Sequence, residues 1–202
     1  MKAKNAEKRF EIIVTLIVIV TIVIVILMGT YVLMKQIFPQ KISAKEGEGL
    51  AHKIASEWHT NITLVFVQDV AQVDKDGRSE WWMYKYLWLD DGSSCIEVSV
   101  SATREVKTRF TKYYREPPII NWTIDSTDAM NIAKHNSHIR AFLSEYRDAI
   151  IESMFLAHSH IDNKSIWSIY FHSSGMFDNP HNARIIIDAH TGEILEVETQ
   201  MD

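Results

Sequence analysis

Histidine is the residue type whose spacing comes nearest to a chemical site in this sequence. His158 and His160 are alternate residues of a predicted strand, so both imidazoles point to one face. His172 ends the next predicted strand. Three converging imidazoles could bind zinc, with each ligating nitrogen about 2.0–2.1 Å from the metal, as in a metal sensor or a metal-dependent enzyme. No residue pattern fixes the strand register that convergence requires, so this site is the alternative interpretation.

The sequence lacks the usual signatures of a catalytic centre. It has no H-E-x-x-H, C-x-x-C or G-x-S-x-G sequence, and its seven glycines are scattered rather than gathered in a phosphate-binding loop. The single cysteine, Cys95, lies in a strand-like run, where a packed small side chain is more common than a nucleophile. We therefore predict no catalytic residue, no metal ligand and no cofactor.

A tight hairpin is predicted close to the end of the sequence. Residues 185–198 read IIIDAHTGEILEVE, two strand-like runs around a Thr-Gly pair. Gly192 can adopt the left-handed backbone that such a turn needs. The Thr191 hydroxyl can bond to nearby backbone, and Asp188 can accept backbone N–H groups across the turn. These roles are structural, and we favour them over catalysis.

A row of large aromatic side chains is predicted on one face of the strand at residues 80–90. Its members are Trp82, Tyr84, Tyr86 and Trp88. Alternate residues of a strand share a face, so all four rings point the same way. Core packing against helices is the favoured interpretation. The alternative is that part of the row contacts a protein or glycan partner, because such side chains dominate binding hot spots.

The elements that would position these residues begin with a long apolar segment. Residues 12–34 contain no charged side chain. A helix of this length is long enough to cross the hydrocarbon core of a lipid bilayer. No small-residue cleavage pattern follows the segment, which favours an uncleaved signal anchor over a signal peptide. Lys and Arg are slightly more frequent before the span than after it. This predicts a cytoplasmic tail at 1–11 and an extracytoplasmic C-terminal part beyond a linker at 35–42.

The overall charge argues against one class of partner. The chain of 202 residues carries a net charge of -5 and has a pI near 6.0. Nucleic-acid-binding proteins normally present a clustered basic surface. We therefore predict no nucleic-acid partner.

The part of the chain beyond the linker shows an internal repeat. One helix is predicted to open at the S-x-x-E pattern of Ser43 and Glu46, and another at Asp125, and each precedes a series of strands. Residues 103–106 (TREV) align with residues 191–194 (TGEI) at an offset of 88, with Arg104 in place of the glycine. At the same offset Val100 stands where Asp188 would be. We predict a tandem duplication, with units at 43–110 and 124–202 and a connector at 111–123.

The second unit resembles a PepSY domain over about residues 120–198. The matching positions are Ala129, Ala133, Trp167, Ile169, Ile187, Asp188, Thr191, Gly192 and Ile194. The first unit looks like a degenerate copy. The resemblance implies an α+β fold in which a transmembrane helix precedes two tandem PepSY-like (cystatin-like) units, each a helix with an antiparallel sheet.

The anchor followed by two such units also resembles the cell-wall elongation regulator family of bacteria. That resemblance implies a non-catalytic, membrane-anchored extracytoplasmic module that contacts a membrane-bound penicillin-binding protein. PepSY units also occur in propeptides of thermolysin-type metallopeptidases, where they restrain the enzyme. We therefore expect a module that binds and regulates another envelope protein, either a cell-wall synthesis enzyme or a peptidase.

Overall fold

The structure is a computed structural model that describes residues 16–30, 40–112, 117–159, 163–174 and 181–200. The chain divides into two compact units, Met1–Gln40 and Lys41–Asp202. The predicted tail at 1–11 and residues 35–39 of the predicted linker lie outside the described residues.

The first unit contains helix α1, residues 16–30. Its apolar side chains are exposed on all sides, from Val23 at 48 % to Met28 at 66 %. Over the described ranges, no helix reaches the combined length and hydropathy of a membrane span. Residues 12–15 and 31–34 of the predicted span lie outside those ranges.

The described residues of the second unit form three helices and eight strands. The helices are α2 (Ala44–Trp58), α3 (Ser126–His135) and α4 (Ser137–Glu145). The strands are β1 (Ile62–Asp69), β2 (Trp81–Trp88), β3 (Ser94–Ser101), β4 (Val106–Lys112), β5 (Ile150–Ser159), β6 (Lys164–Ser173), β7 (His181–Asp188) and β8 (Ile194–Gln200). The predicted α+β class is confirmed.

All eight strands form one antiparallel sheet in the order β4-β3-β2-β1-β5-β6-β7-β8. Strands β1 to β4 form one meander and β5 to β8 form a second. The two meanders meet where β1 pairs with β5, over the short ladder from Phe66↔Ala157 to Gln68↔Phe155. One helix, α2, precedes the first four strands and two helices, α3 and α4, precede the second four, and all eight strands share one continuous sheet.

Local sequence signals set the starts of the two main helices. The Ser43 side chain accepts from the backbone N–H of Glu46, whose carboxylate accepts from the N–H of Ser43. Asp125 and Asp128 form the same reciprocal capping box on α3. Both predicted helix starts are confirmed, because each cap satisfies amide groups that have no partner inside the helix.

The helices pack on one face of the sheet, and the main core lies between them. Trp82, Tyr84, Leu156, Trp167 and Ile185 are fully buried there, together with alanines of α2 and α3. The small residues of the helices allow close approach. The Tyr84 hydroxyl donates to the Ala44 carbonyl of α2 at 2.5 Å, beside Gly47. None of the helices α2, α3 and α4 lies on the opposite face of the sheet, and we call it the open face.

The repeated turns are similar in backbone shape but differ in length. Arg104 adopts φ 65° and Gly192 adopts φ 77°, so both occupy the left-handed region at the aligned position. The bonds that close the turns are Ser101 N–H to the Glu105 carbonyl and Asp188 N–H to the Glu193 carbonyl. Ser101, rather than Val100, is therefore the structural counterpart of Asp188. The constant offset fails there because the second turn is one residue longer.

Strand β1 ends at Asp69, where the carboxylate accepts the Met154 N–H at 2.7 Å in place of a backbone carbonyl. One predicted boundary shifts. Strand β4 extends to Lys112, into the connector predicted at 111–123. Within that connector, residues 113–116 lie outside the described ranges.

Candidate functional site

The hairpin between β7 and β8 is built around the carboxylate of Asp188. One of its oxygens accepts the backbone N–H groups of His190 and Thr191, at 2.8 and 3.0 Å. The other oxygen lies 3.1 Å from Nζ of Lys164. The Thr191 hydroxyl accepts the N–H of Glu193 at 3.2 Å. Each polar group that the sequence assigned to the turn therefore bonds within it.

The surroundings of Asp188 favour its ionised form. Burial of this side chain acts to raise its pKa. The hydrogen bonds from Thr191 and His190 and the contact with Lys164 act against burial, and the pKa falls below the ordinary value of 3.8. The carboxylate is 3 % exposed as a residue and uses both oxygens. It is placed to hold a turn rather than to exchange a proton with a substrate.

Trp167 connects this hairpin to the start of α3. Its indole N–H donates to the Ile124 carbonyl at 2.8 Å, and the indole of Trp122 donates to the same carbonyl at 2.7 Å. The Trp167 ring packs edge-on against Trp122 and against Trp82 of the other half, with centroids 6.1 Å apart in both pairs. Trp167 therefore lies where the connector, the hairpin and both halves of the core meet.

The connector is bonded to the hairpin turn by its backbone. The N–H groups of Thr123 and Ile124 both donate to the Ala189 carbonyl at 2.9 Å. The Thr123 hydroxyl donates to the His190 carbonyl at 2.5 Å. The residues of the hairpin motif, Asp188, Thr191, Gly192 and Trp167, thus have a structural role. The hydrogen bonds around them fix the position of the start of α3 relative to the sheet.

The structure separates two of the three histidines of the alternative site. His158 pairs with Ser165 at one end of β6, whereas His172 lies toward the other end, paired with Ile150. Seven residues along a strand span roughly 23 Å, and an odd separation places the two side chains on opposite faces. His160 lies outside the described residues. Among those that the structure describes, no three His, Cys, Asp or Glu side chains gather closely enough to hold a metal ion.

The aromatic row of β2 faces the helices. Trp82 and Tyr84 are fully buried and Tyr86 is 1 % exposed. Burial raises the pKa of both tyrosines far above the ordinary value of 10.0. Trp88, the last residue of the row, is partly exposed and stacks on His59 with ring centroids 5.0 Å apart. Any partner contact through this row would therefore begin at Trp88.

A second aromatic row crosses the open face at the seam between the meanders. Phe66 of β1 stacks on Phe155 of β5 at 5.6 Å, and Phe155 stacks on Tyr170 of β6 at 6.0 Å. Lys85 lies over the Phe66 ring at 5.7 Å and Arg184 lies over the Tyr170 ring at 5.3 Å. We call these three rings and two cations the open-face row. All five side chains are partly exposed.

Acidic side chains hold the cations of the open-face row in place. Glu97 of β3 accepts from Lys85 at 3.2 Å and from Arg109 of β4 at 2.7 Å. At the other end, Glu198 of β8 lies 3.6 Å from Arg184. A planar surface with aromatic rings and oriented cations can bind a partner through stacking and charge-assisted hydrogen bonds.

Sequence reasoning did not identify the open-face row. The alternation of β6 already places Tyr170 on the opposite face of the sheet from Trp167 and Ile169, so the exposed face of Tyr170 could have been predicted. Phe66 could not, because a β-bulge between Leu64 and Phe66 reverses the face of the side chain. The contact of Phe66 with Phe155 also depends on the pairing of β1 with β5, which periodicity does not predict.

Comparisons with known proteins agree with the resemblance of the second unit. Residues 123–198 match the family model described as "Peptidase propeptide and YPEB domain", PepSY, which confirms the resemblance over this segment. No curated protein matches the chain. A crystal structure of a protein described as a putative lipoprotein, from Clostridium difficile 630, is similar at 17 % identity and a TM-score of 0.46. That similarity covers 74 % of this chain and 90 % of the other.

Proposed function

We propose that this protein is a non-catalytic, membrane-anchored extracytoplasmic module that binds and regulates another envelope protein, either a cell-wall synthesis enzyme or a peptidase. The observation that carries the proposal is the PepSY match at residues 123–198, in which the motif side chains are engaged inside the fold. The open-face row offers the contact surface. It supplies partly exposed rings and cations, whereas Trp82, Tyr84 and Tyr86 are enclosed.

The apolar segment supports the anchoring part of this proposal. The described helix α1 carries apolar side chains on all sides, and every one of them is exposed. A helix that is apolar all round is stable when lipid or protein surrounds it. We propose that residues 12–34 span the bilayer, with the second unit outside the cell. Tethering raises the effective concentration of a membrane-bound partner, so weak contacts suffice.

Photo-crosslinking in intact membranes tests the proposal. A photoreactive amino acid replaces Tyr170 in the open-face row, and in a matched control it replaces Lys53 on the exposed side of α2. We expect the Tyr170 variant to capture one larger envelope protein, which mass spectrometry identifies, and the Lys53 variant to capture none. Equal capture by both variants, or capture by neither, would contradict a specific contact at this surface.

Enzyme assays separate this proposal from the histidine alternative. The purified protein is expected to slow a peptidase, or to alter the activity of a cell-wall enzyme, without hydrolysing a substrate itself. Metal-dependent hydrolysis that disappears in His158→Ala or His160→Ala would favour the metal-dependent enzyme instead. Zinc bound in stoichiometric amount would point the same way.

A further inference from the structure

The two edges of the eight-stranded sheet carry opposite charges. Strand β4 at one edge contains Lys107, Arg109 and Lys112 and has no acidic residue. Strand β8 at the other edge contains Glu196 and Glu198 and has no basic residue. Both edges are exposed, with side chains of Lys107 and Glu198 66 % and 60 % exposed. An edge strand presents unpaired backbone groups that can accept another strand.

We propose that β4 of one molecule pairs antiparallel with β8 of a second molecule, so that the sheet continues from copy to copy. The two strands have equal length, seven residues each. In the alternating directions of the sheet, β4 and β8 run opposite ways, because seven antiparallel pairings separate them. A second copy in the same orientation therefore brings its β8 against β4 in antiparallel sense.

One register of the β4–β8 pairing places two cations of β4 opposite two carboxylates of β8. With Thr108 opposite Val197, Lys107 falls opposite Glu198 and Arg109 falls opposite Glu196. All four of these charged side chains lie on the open face, since their partners on β3 and β7 do. A shift by two residues in either direction leaves at most one cation–carboxylate pair. Oppositely charged cross-strand pairs stabilise an antiparallel ladder, whereas like charges destabilise it.

The same register also places the outward backbone N–H and C=O groups of the two edge strands opposite one another. Ser101 N–H donates to Glu105 across the β3–β4 hairpin, so by alternation Val106 and Thr108 direct their N–H and C=O groups outward. Asp188 N–H donates to the Glu193 carbonyl across the β7–β8 hairpin, so by alternation along β7 Ile186 and Arg184 also direct their backbone groups toward β8. The β-bulge pairs them with Glu196 and Glu198, which leaves Val197 and Thr199 outward in β8. The outward residues of the two edges fall opposite one another, Thr108 with Val197 and Val106 with Thr199.

Repulsion between like charges argues against pairing of two identical edges. Pairing of β4 with β4 places cations opposite cations, and pairing of β8 with β8 places carboxylates opposite carboxylates. An antiparallel pair of identical edges also reverses the strand direction of the second copy, and Lys41, where the second unit begins, would then lie at opposite ends of the two copies. The β4–β8 contact keeps Lys41 at the same end, as copies anchored in one membrane require; this last point rests on the proposed anchor. The contact is head-to-tail, so it propagates into a row of molecules.

Disulfide trapping of the full chain in membranes tests this proposal. In a Cys95→Ala background, the variant with Thr108→Cys and Val197→Cys is expected to form a ladder of dimers, trimers and larger species on mild oxidation. The two edges of one molecule lie roughly 34 Å apart across seven strand spacings, so a bond within one chain cannot form. Each single-cysteine variant should remain monomeric, and a mixture of the two should stop at dimers.

Charge reversal identifies the contact. Lys107→Glu is expected to reduce crosslinking by roughly five- to tenfold, and adding Glu198→Lys should restore it. Lys53→Glu on α2 is the matched control and should leave crosslinking unchanged. The pair Val106→Cys and Thr199→Cys repeats the test in case the first pair impairs folding. Absence of a ladder from both folded pairs, efficient crosslinking of a single-cysteine variant, or failure of Glu198→Lys to restore crosslinking would overturn the proposal.

Discussion

At the scale of single residues, one tight contact in the core involves a residue without a side chain. Gly47 lies in α2 directly against the hydroxyl of Tyr84, which donates to the Ala44 carbonyl one turn earlier. A Cβ at position 47 would collide with that hydroxyl. Gly49 lies two residues further along the same helix and has no atom within 4 Å of the Cβ position. Alanine substitution at these two positions therefore distinguishes the effect of helix propensity from the effect of core packing.

Gly47→Ala and Gly49→Ala should therefore shift stability in opposite directions. Alanine favours a helix over glycine by up to about 1 kcal/mol, so Gly49→Ala should raise the free energy of unfolding by roughly that amount. Gly47→Ala must move the Tyr84 ring and break its buried hydrogen bond, and we expect a net loss of about 1–3 kcal/mol. Urea unfolding of the full chain in detergent, followed by tryptophan fluorescence, measures both. A stabilising Gly47→Ala would show that Tyr84 moves without cost.

At the scale of helices and strands, one carboxylate serves two helices. Asp125 caps α3 through the N–H of Ser126 at 2.6 Å, and it also accepts the N–H of Lys45 in the first turn of α2 at 3.0 Å. The Ser126 hydroxyl accepts the N–H of Ala44 at 3.0 Å. The first turns of the two helices are thus joined through side chains from the start of α3, which links the two halves of the second unit outside the sheet.

Removal of this shared cap should cost more than removal of an ordinary one. Asp125→Ala is expected to lower the free energy of unfolding by about 2–3 kcal/mol, because it leaves amide groups of both helices unsatisfied. Asn136 is the matched control, since it caps α4 alone, through the N–H groups of His138 and Ile139. Asn136→Ala should cost about 1 kcal/mol. Equal losses in chemical denaturation would show that the bond to Lys45 contributes nothing to stability.

The sequence predicts those elements whose causes are local. The capping patterns at Ser43 and Asp125 predict the starts of α2 and α3, because the bonds involved join residues three apart. The left-handed backbone at Gly192 follows from turn chemistry in the same way. Alternation predicts that Trp82, Tyr84 and Tyr86 share a face, and the size of their rings favours burial of that face against the helices.

Long-range features could not be predicted in the same way. The pairing of β1 with β5 joins residues about ninety positions apart, and neither strand contains a signal for the other. The bulge at Leu64 and Phe66 interrupts the alternation that otherwise assigns faces. Arg104 keeps the left-handed conformation of the glycine it replaces, against its own preference, because the flanking strands impose the turn. The candidate surface on the open face depends on the first two of these features and was missed.

At the scale of the whole molecule, the seam between the meanders contains a partly buried carboxyl group. Asp69 ends β1 at this seam, and its carboxylate accepts the Met154 N–H of β5 at 2.7 Å. Burial raises the pKa of Asp69 from 3.8 to about 6, although the hydrogen bond from Met154 acts to lower it. The folded chain therefore binds this proton more tightly than the unfolded chain does. The resulting stabilisation is fully present below about pH 4 and is lost as the pH rises through about 6.

Asp69→Asn should remove this pH dependence. The amide oxygen can still accept the Met154 N–H, but it carries no charge at any pH. We expect the variant to exceed the parent in free energy of unfolding by on the order of 2 kcal/mol at pH 8, a difference that shrinks toward pH 4. Asp69→Ala is the matched comparison, since it also lacks the charge but leaves the Met154 N–H without an acceptor, and it should be less stable than Asp69→Asn throughout. Parallel stability–pH curves for the parent and Asp69→Asn would mean that the seam tolerates the ionised carboxylate.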